Sequence, residues 1–287
     1  MELQELLGTV QTGTINDQNE QYFFVGVAGF TFRLNKQEPA SSSSPLRGFL
    51  YENQNHQLVM TTKIPVSGCH RYGFGQVVDV RTDLGVFVDI GLQDKDIVVS
   101  LDDLPNLKSL WPKKGDRLLI ALKVDKKNRM WGQLADGSIY QQISRPFPAN
   151  WKNKNVTATV YRLKLSGSFV LTSDYYLGFI HASERQREPR LGEVVHGRVI
   201  GKSYDHLNIS LKPRAYEEIN DDAAMILAVL QHQPTKTLNF NDKSSPAAIK
   251  QYFGISKGNF KRAVGHLLKQ KMITQDEQGI SLVNKDQ

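Results

Sequence analysis

The segments that decide the fold are Ala158-Thr159-Val160, Gly167-Ser168-Phe169-Val170 and Gly178-Phe179-Ile180-His181-Ala182-Ser183. Gly192-Glu193 and the stretch from His206 to Ser210 follow them. Short apolar runs that alternate with polar residues and are bounded by glycine predict half-buried β-strands. The same series of motifs occurs earlier in the chain, and such internal repetition predicts a string of similar small domains.

The earlier copy runs through Gly75-Gln76-Val77, Gly85-Val86-Phe87-Val88-Asp89, Gly115-Asp116 and Asp125 to Arg129. In each copy one aromatic residue lies within a strand that follows a glycine. Each copy with its flanking strands predicts a barrel of about 65 to 75 residues, the usual size of a five-stranded OB-fold. The open face of such a barrel binds nucleic acid. Strand alternation leaves a second interpretation open, in which these rings belong to the core.

A hairpin of two β-prone runs recurs at residues 48–61, 121–131 and 197–210. Three hairpins predict three tandem barrels, the first degenerate in sequence. Proline lacks the donor that continues a strand, so Pro65 and the stretch Arg145-Pro146-Phe147-Pro148 mark junctions. We therefore predict a mainly β, multidomain chain whose OB-type barrels span residues 1–64, 65–140 and 141–214.

After residue 214 the apolar period changes from about 2 to about 3.6, which predicts helices. Asp221-Asp222 precede an apolar helix, Ser245-Pro246 open a second helix that Gly254 ends, and Ser256 caps a third. A hairpin over residues 273–283 closes the chain. This order of elements is typical of a winged helix-turn-helix, which we predict over residues 215–287.

Charge is distributed unevenly along the chain. The 287 residues carry a net charge of +7. Residues 141–214 hold 12 Lys and Arg against 5 Asp and Glu, so this segment carries the excess. A basic segment with exposed aromatic residues favours a polyanionic partner.

Several protein classes are excluded or disfavoured. No window approaches the roughly 18 consecutive apolar residues of a membrane helix. Glu2 and Glu5 stand where a secretory signal would be positive, so we expect a cytoplasmic protein with no membrane partner. Cys69 is the only cysteine, which excludes intrachain disulfides and cysteine-built zinc sites. No histidine pair has the spacing of a zinc helix, and no phosphate loop or nucleophile motif occurs.

A cluster of aspartates offers one enzymatic alternative. Asp83, Asp89, Asp94 and Asp96 cluster in sequence, as in a metal-dependent nuclease. Such an enzyme needs carboxylates that converge on two metal ions, whereas strand alternation makes these look like solvated acids. We predict a non-enzymatic protein with no catalytic residue, cofactor, metal or small-molecule substrate.

These motifs resemble the RNA-binding repeat of the largest small-subunit ribosomal protein, the S-one domain. Its pattern is G-x-V, G-x-F-V, G-L-V-H-x-S, G-D and D-x-x-x-R. Three such barrels followed by a winged helix resemble the bacterial conserved virulence factor B family, RNA-binding proteins of firmicutes. The runs that are similar to that family's second barrel are Val86 to Leu92, Lys95 to Ser100 and Leu110 to Asp116.

The resemblance implies an RNA-binding face that each barrel keeps in part. Val98 replaces the motif histidine in the second barrel, and Leu84 and Ser166 stand where a second aromatic often precedes the motif glycine. The third barrel holds Lys202 and His206 in place of the Asp and Arg of D-x-x-x-R. With flanking cations and neighbouring rings, the candidate RNA-binding residues are Phe74, Phe87, Asp125, Arg129, Arg162, Lys164, Phe169, Phe179, His181, Lys202 and His206.

The winged helix adds a second candidate surface. No acid occurs between Lys243 and Gln275, and five basic residues lie on or next to the third helix: Lys257, Lys261, Arg262, Lys269 and Lys271. We predict that the partner is single-stranded RNA, with DNA an option for the winged helix; the resemblance implies post-transcriptional regulation. A DNA-binding transcription regulator and a ribosome-associated adaptor remain as alternatives.

Overall fold

The computed structural model describes residues 2–39, 45–212 and 215–283, excepting the side chains of residues 215–220. The chain divides into one unit, Met1–Leu211, that contains three closed barrels, and a second unit, Lys212–Gln287. The predicted fold class, three five-stranded barrels followed by a winged helix, is confirmed. The three barrels share one unit, whereas the sequence motifs indicated only a string of domains.

The first barrel follows a short helix, α1 (Leu3–Leu6), whose Leu6 is buried. Its strands pair in the order β1-β2-β3-β5-β4 and close on themselves. Alternate residues such as Val25, Phe32 and Leu34 fill the interior. The strands are β1 (Val10–Gln18), β2 (Tyr22–Val27), β3 (Phe30–Asn35), β4 (Leu46–Glu52) and β5 (Leu58–Thr61).

The second and third barrels repeat this order of strand pairing. Between them lies α2 (Gly137–Ile143), capped by the Asp136 carboxylate, which accepts hydrogen bonds from the amides of Ser138 and Ile139. The second barrel contains β6 (Gly73–Arg81), β7 (Gly85–Asp89), β8 (Ile97–Ser100), β9 (Arg117–Val124) and β10 (Met130–Leu134). The third contains β11 (Asn155–Lys164), β12 (Gly167–Thr172), β13 (Leu177–His181), β14 (Val194–Lys202) and β15 (Leu207–Ser210).

The first and second barrels share a continuous apolar core. Phe49 and Tyr51 of β4 are buried among core residues of the second barrel. The Tyr51 hydroxyl donates a hydrogen bond of 2.7 Å to Asp94. Burial, and then this bond to a carboxylate, raise the pKa of Tyr51 far above its ordinary value. The Asp94 carboxylate is therefore engaged in joining two barrels.

The second and third barrels are joined by an ion pair and by α2. Arg190 Nε and one terminal nitrogen each lie 3.1 Å from a carboxylate oxygen of Asp116. The Arg117 amide donates to the Gly192 carbonyl at 2.8 Å. Tyr140 of α2 is buried in a cluster that includes residues of both barrels, Leu119 and Leu171. Because α2 packs against both barrels, it forms part of the junction and is not a free linker.

The glycine that opens the G-x-F motif allows two strands to approach closely. A Cβ atom on Gly167 would lie 2.2 Å from the Ile180 carbonyl oxygen. A Cβ atom on Gly85 would lie 2.0 Å from the Val99 carbonyl oxygen. Both distances are far below van der Waals contact with rigid backbone. This close approach positions the ring that follows, Phe169 or Phe87, against the neighbouring strand.

We expect Gly167→Ala to destabilise the barrel unit by about 1–3 kcal/mol, because the backbone must shift and φ is +156° there. Urea denaturation followed by tryptophan fluorescence measures this change. All three tryptophans, Trp111, Trp131 and Trp151, lie in the barrel unit. Gly201→Ala is the control, since its Cβ would meet only the Asn208 side chain, at 3.2 Å. Equal denaturation midpoints for the two variants would contradict the steric argument.

The second unit is a winged helix with its own apolar core around Phe260 and Ile249. The predicted caps are confirmed: Ser245 and Ser256 accept amide hydrogen bonds, and Gly254 is left-handed at φ +73°. The elements are α3 (Ala215–His232), β16 (Thr237–Leu238), α4 (Pro246–Phe253), α5 (Lys257–Lys269), β17 (Ile273–Gln275) and β18 (Ile280–Leu282). The strands pair in the order β16-β18-β17.

One predicted helix boundary is wrong. We expected Asp221-Asp222 to mark a helix start, but α3 begins at Ala215 and the two acids lie inside it. Acidic residues favour a first turn without requiring one, and the preceding residues are compatible with a helix. Among the helices of the described residues, none combines the length and apolar character needed to cross a bilayer.

Candidate nucleic-acid interface

In each of the three barrels, a β-bulge in the first strand places one residue of that strand beside an aromatic residue of the second strand. We call the side chains that follow from this pair across the face of the barrel its row. The register of this strand shifts once in each barrel, and the residue after the shift pairs with an aromatic residue of the second strand. Paired residues of neighbouring strands lie on the same face. The three pairs are Asp17 with Phe24, Asp79 with Phe87, and Arg162 with Phe169.

In the third barrel the row becomes a continuous group of rings. Phe169 and Phe179 are paired neighbours on β12 and β13, with ring centroids 4.9 Å apart. His206, from the turn before β15, lies 5.5 Å from Phe179, and His181 lies 6.4 Å from it. Tyr161 lies 6.2 Å from Phe169 on the other side. We call Tyr161, Phe169, Phe179, His181 and His206 the aromatic strip.

The strip is partly accessible and held in place from behind. His181 is exposed and the other four rings are half-buried. Tyr161 stacks on Tyr140 of α2 at 3.8 Å with an interplanar angle of 14°. Burial raises the pKa of Tyr161 to about 12, the nearby Arg162 opposing and Asp205 assisting the shift. The phenol is therefore neutral at pH 7, and its ring is fixed by α2.

Cations flank the aromatic strip on the β11 side. Lys164 Nζ stands 5.5 Å from the centroid of the Phe169 ring, and Arg162 is exposed beside it. The Nδ1 atom of His206 is hydrogen-bonded to the Asp205 carboxylate at 2.6 Å. Lys202 is exposed too, but it stands over Phe147 at 5.3 Å and not over the strip. Flat rings beside separated positive charges provide surfaces for stacking and for phosphate.

The corresponding row of the second barrel has a different chemistry. Phe87 pairs with Val98, and Val98 pairs in turn with Trp131, so an aliphatic residue separates the two rings. Burial and then the charges of Asp89 and Asp79 raise the pKa of Asp96. Asp79, which pairs with Phe87, places its carboxylate on the face that carries this ring, where it repels phosphate.

Three further candidates of the second barrel are engaged in local contacts. Arg129 Nε donates a hydrogen bond of 2.7 Å to Asp125, and the Arg129 guanidinium lies 5.3 Å from the Trp131 ring centroid. Phe74 lies in the apolar cluster at the junction of the second and third barrels, with Arg117 4.9 Å from its ring centroid. The structure thus brings Asp125 and Arg129 together on the second barrel. Phe74 belongs to the same apolar cluster as Tyr161 of the aromatic strip.

Sequence reasoning missed two groups on these faces. Phe24 of the first barrel occupies the place of Phe87 and Phe169, and it pairs with Arg33 on β3. The run Phe23-Phe24-Val25 indicated a strand, but only the register identifies the ring that stands in the row. Tyr161 was also missed, because it lies within the bulge, where the period-two pattern breaks.

The basic residues of the winged helix are accessible. Lys261, Arg262 and Lys269 of α5 are exposed, as is Lys271 after the helix, whereas Lys257 is half-buried. Arg262 donates a hydrogen bond of 2.5 Å to Asn259 on the preceding turn. Within the described residues, no three His, Cys, Asp or Glu side chains form a group that could hold a metal ion.

Four family profiles match successive parts of the chain. They are described as "S1 domain" over residues 7–63, "CvfB first S1-like domain" over 72–133, "Virulence regulatory factor CvfB, second domain" over 140–213, and "CvfB-like winged helix domain" over 224–282. Together they extend over most of the chain and include every residue of the aromatic strip.

Relatives match along nearly the whole length. Conserved virulence factor B of Staphylococcus epidermidis (strain ATCC 12228 / FDA PCI 1200) is 38% identical over 98% of this chain and 96% of that protein. The Staphylococcus aureus protein (strain bovine RF122 / ET3-1) is also 38% identical, over 98% and 95%. A Streptococcus pneumoniae TIGR4 crystal structure, described as a multidomain protein with nucleic acid binding domains, is 48% identical with a TM-score of 0.71, covering 97% and 99%. The chain therefore belongs to the conserved virulence factor B family, as its motifs predicted.

Proposed function

We propose that this protein binds single-stranded RNA, chiefly through the aromatic strip of its third barrel, and does so without catalysing a reaction. The observation that carries the proposal is the contiguous set of partly accessible rings around Phe169 and Phe179, flanked by Lys164 and Arg162. The description of the pneumococcal relative as having nucleic acid binding domains supports a nucleic-acid partner in general.

The chemistry of the strip favours an unpaired strand over a duplex. Stacking a base on an aromatic side chain contributes about 1–3 kcal/mol and tolerates any base. A base can stack in this way only when its face is uncovered, as in single-stranded RNA. Lys164 and Arg162 would hold phosphates, and this part of the affinity falls as salt rises. The phosphate contacts and the stacking contacts are thus separable by experiment.

Other surfaces have supporting roles in this proposal. Phe87, Arg129, Lys202 and the basic residues of α5 would add contacts to the backbone or to further bases. Because several weak sites on one chain raise the effective concentration of each, modest individual contacts can yield useful affinity. Acting on transcripts in the cytoplasm, such a protein would regulate gene expression after transcription, and the names of the staphylococcal relatives connect that regulation with virulence.

A competition experiment tests the proposal. We expect unlabelled single-stranded RNA to displace a labelled single-stranded RNA 12-mer at least about tenfold more efficiently than duplex DNA of equal length, since the duplex offers no free base faces. Filter binding at several salt concentrations measures both competitors. Efficient displacement by duplex DNA would favour a winged-helix transcription regulator instead. Loss of intact RNA on a gel after incubation with Mg²⁺ would favour a processing enzyme.

A further inference from the structure

We propose that the groove between α2 and the third barrel binds one guanine base of a single-stranded RNA. The inference rests on the proposed function, because it concerns the same RNA at one end of the aromatic strip. The groove has a volume of about 420 Å³, toward the small end of ligand pockets. Its lining includes Gln141, Tyr161, Arg162, Phe169, Asp205 and His206.

Two properties make the groove suitable for a base. Tyr161 and Phe169 line it and also belong to the aromatic strip, so a strand stacked on the strip can continue into it. The Tyr161 ring cannot turn away easily, because its other side stacks on Tyr140, which is buried in α2. Helix α2 supplies the opposite wall through Gly137, Ser138 and Gln141. The pocket exists only because α2 is held between two barrels.

The polar groups of the groove differ in what they can accept. The Asp136 Oδ1 already accepts hydrogen bonds from the amides of Ser138 and Ile139 and from the Ser138 hydroxyl. With three donors on one oxygen, Asp136 cannot receive two parallel hydrogen bonds from a ligand. The Asp205 Oδ1 accepts one hydrogen bond, from His206 Nδ1, and keeps a second lone pair. Its Oδ2 has no hydrogen bond to any residue in the described parts of the chain. The Asp205 side chain is 61% exposed, so a ligand can reach it. Asp205 is therefore the carboxylate available to a ligand in this groove.

A carboxylate at this place repels phosphate but pairs well with a donor edge. Guanine offers two adjacent donors, N1–H and the 2-amino group, on its Watson–Crick edge. Adenine and cytosine each place a ring acceptor beside their amino group, and uracil places carbonyl oxygens on both sides of its N3–H. An ionised carboxylate can thus form two parallel hydrogen bonds with guanine alone among the four bases.

The test compares RNAs that differ at one base. We expect the full-length protein to bind an octamer of uridine carrying one central guanosine about tenfold more tightly than the all-uridine octamer, as expected for one bidentate pair worth about 1–3 kcal/mol. Octamers with one adenosine or one cytidine should bind like all-uridine RNA. Fluorescence anisotropy at fixed salt measures all four.

Asp205→Ala should abolish the preference for guanosine, so that this variant binds the guanosine octamer and the all-uridine octamer with equal affinity. The control is Asp174→Ala, which removes the same charge from the exposed turn between β12 and β13 without touching the groove. This control should keep the preference. Equal weakening of every RNA by Asp205→Ala would overturn the proposal, because it would show that Asp205 only orients His206.

The outcomes separate this inference from the proposed function. If the unaltered protein binds all four octamers with equal affinity, the guanine pocket is refuted while RNA binding by the aromatic strip stands. A preference for adenosine or cytidine would likewise refute it. If none of the octamers binds, both the pocket and the proposed function are refuted.

Discussion

Replacing Phe169 and Phe179 together by alanine is expected to weaken single-stranded RNA binding by at least about thirtyfold at matched salt. Each ring can stack one base for about 1–3 kcal/mol, and the loss of about 2 kcal/mol in total already corresponds to this factor. The rings are neighbours at 4.9 Å, so a single substitution leaves a platform and the double substitution removes it. Filter binding or anisotropy with a single-stranded RNA 12-mer measures the loss.

The matched control is Phe87→Ala, which removes the same ring from the same row of the second barrel. Its neighbours are Asp79 and Val98, so we expect a loss of less than about threefold. Circular dichroism and the melting temperature must show that each variant is folded, since all three rings are half-buried. Retained affinity in a folded Phe169 and Phe179 double variant would contradict the role of the strip. Equal losses in both variants would mean that the barrels contribute alike.

The second large effect concerns stability. Arg190→Met is expected to lower the free energy of unfolding of the barrel unit by about 3 kcal/mol, because the buried Asp116 carboxylate keeps the Lys113 amide but loses its guanidinium partner. The Asp116 side chain is 9% exposed and that of Arg190 is 19% exposed, so little water can replace the lost ion pair. Urea denaturation followed by tryptophan fluorescence measures the change.

Two further variants identify the cause of that loss. Arg187→Met removes a guanidinium that is 66% exposed and pairs with Glu193. It should cost less than Arg190→Met, because Glu193 keeps both the guanidinium and the amide of Arg190 as partners. Asp116→Leu combined with Arg190→Met should recover part of the stability, since it removes the stranded charge. A wild-type denaturation midpoint for Arg190→Met would refute the ion pair as a stabilising contact between barrels.

The fold could be predicted because its signals are local. The glycine of G-x-F permits an approach that any Cβ would block, as at Gly167, and the caps at Ser245 and Ser256 are read from neighbouring residues. The extent of α3 could not be predicted, because Asp221 and Asp222 suit a first turn and an interior turn alike. Capping residues and motif glycines indicate which local conformation is allowed. Only packing decides how far a helix extends.

The candidate site was only partly predictable. Phe169, Phe179, His181 and His206 follow from the motifs, and the structure brings all four together. Phe87 and Phe169 occupy the same motif position, so the motif provides no ground for ranking them. The residue paired across the bulge distinguishes their surroundings: it is Asp79 in one barrel and Arg162 in the other.

The amino-acid sequence by itself determined the barrels and the winged helix, because glycine conformation, strand alternation and helix capping act between residues close in the chain. Its motifs also identified the family and the rings of the candidate site. The tertiary structure alone decided that the three barrels form one unit, that Phe74 lies at a junction, and that Tyr161 is fixed against Tyr140. These features depend on contacts between residues far apart in sequence, and such contacts are set by strand register and by packing between barrels.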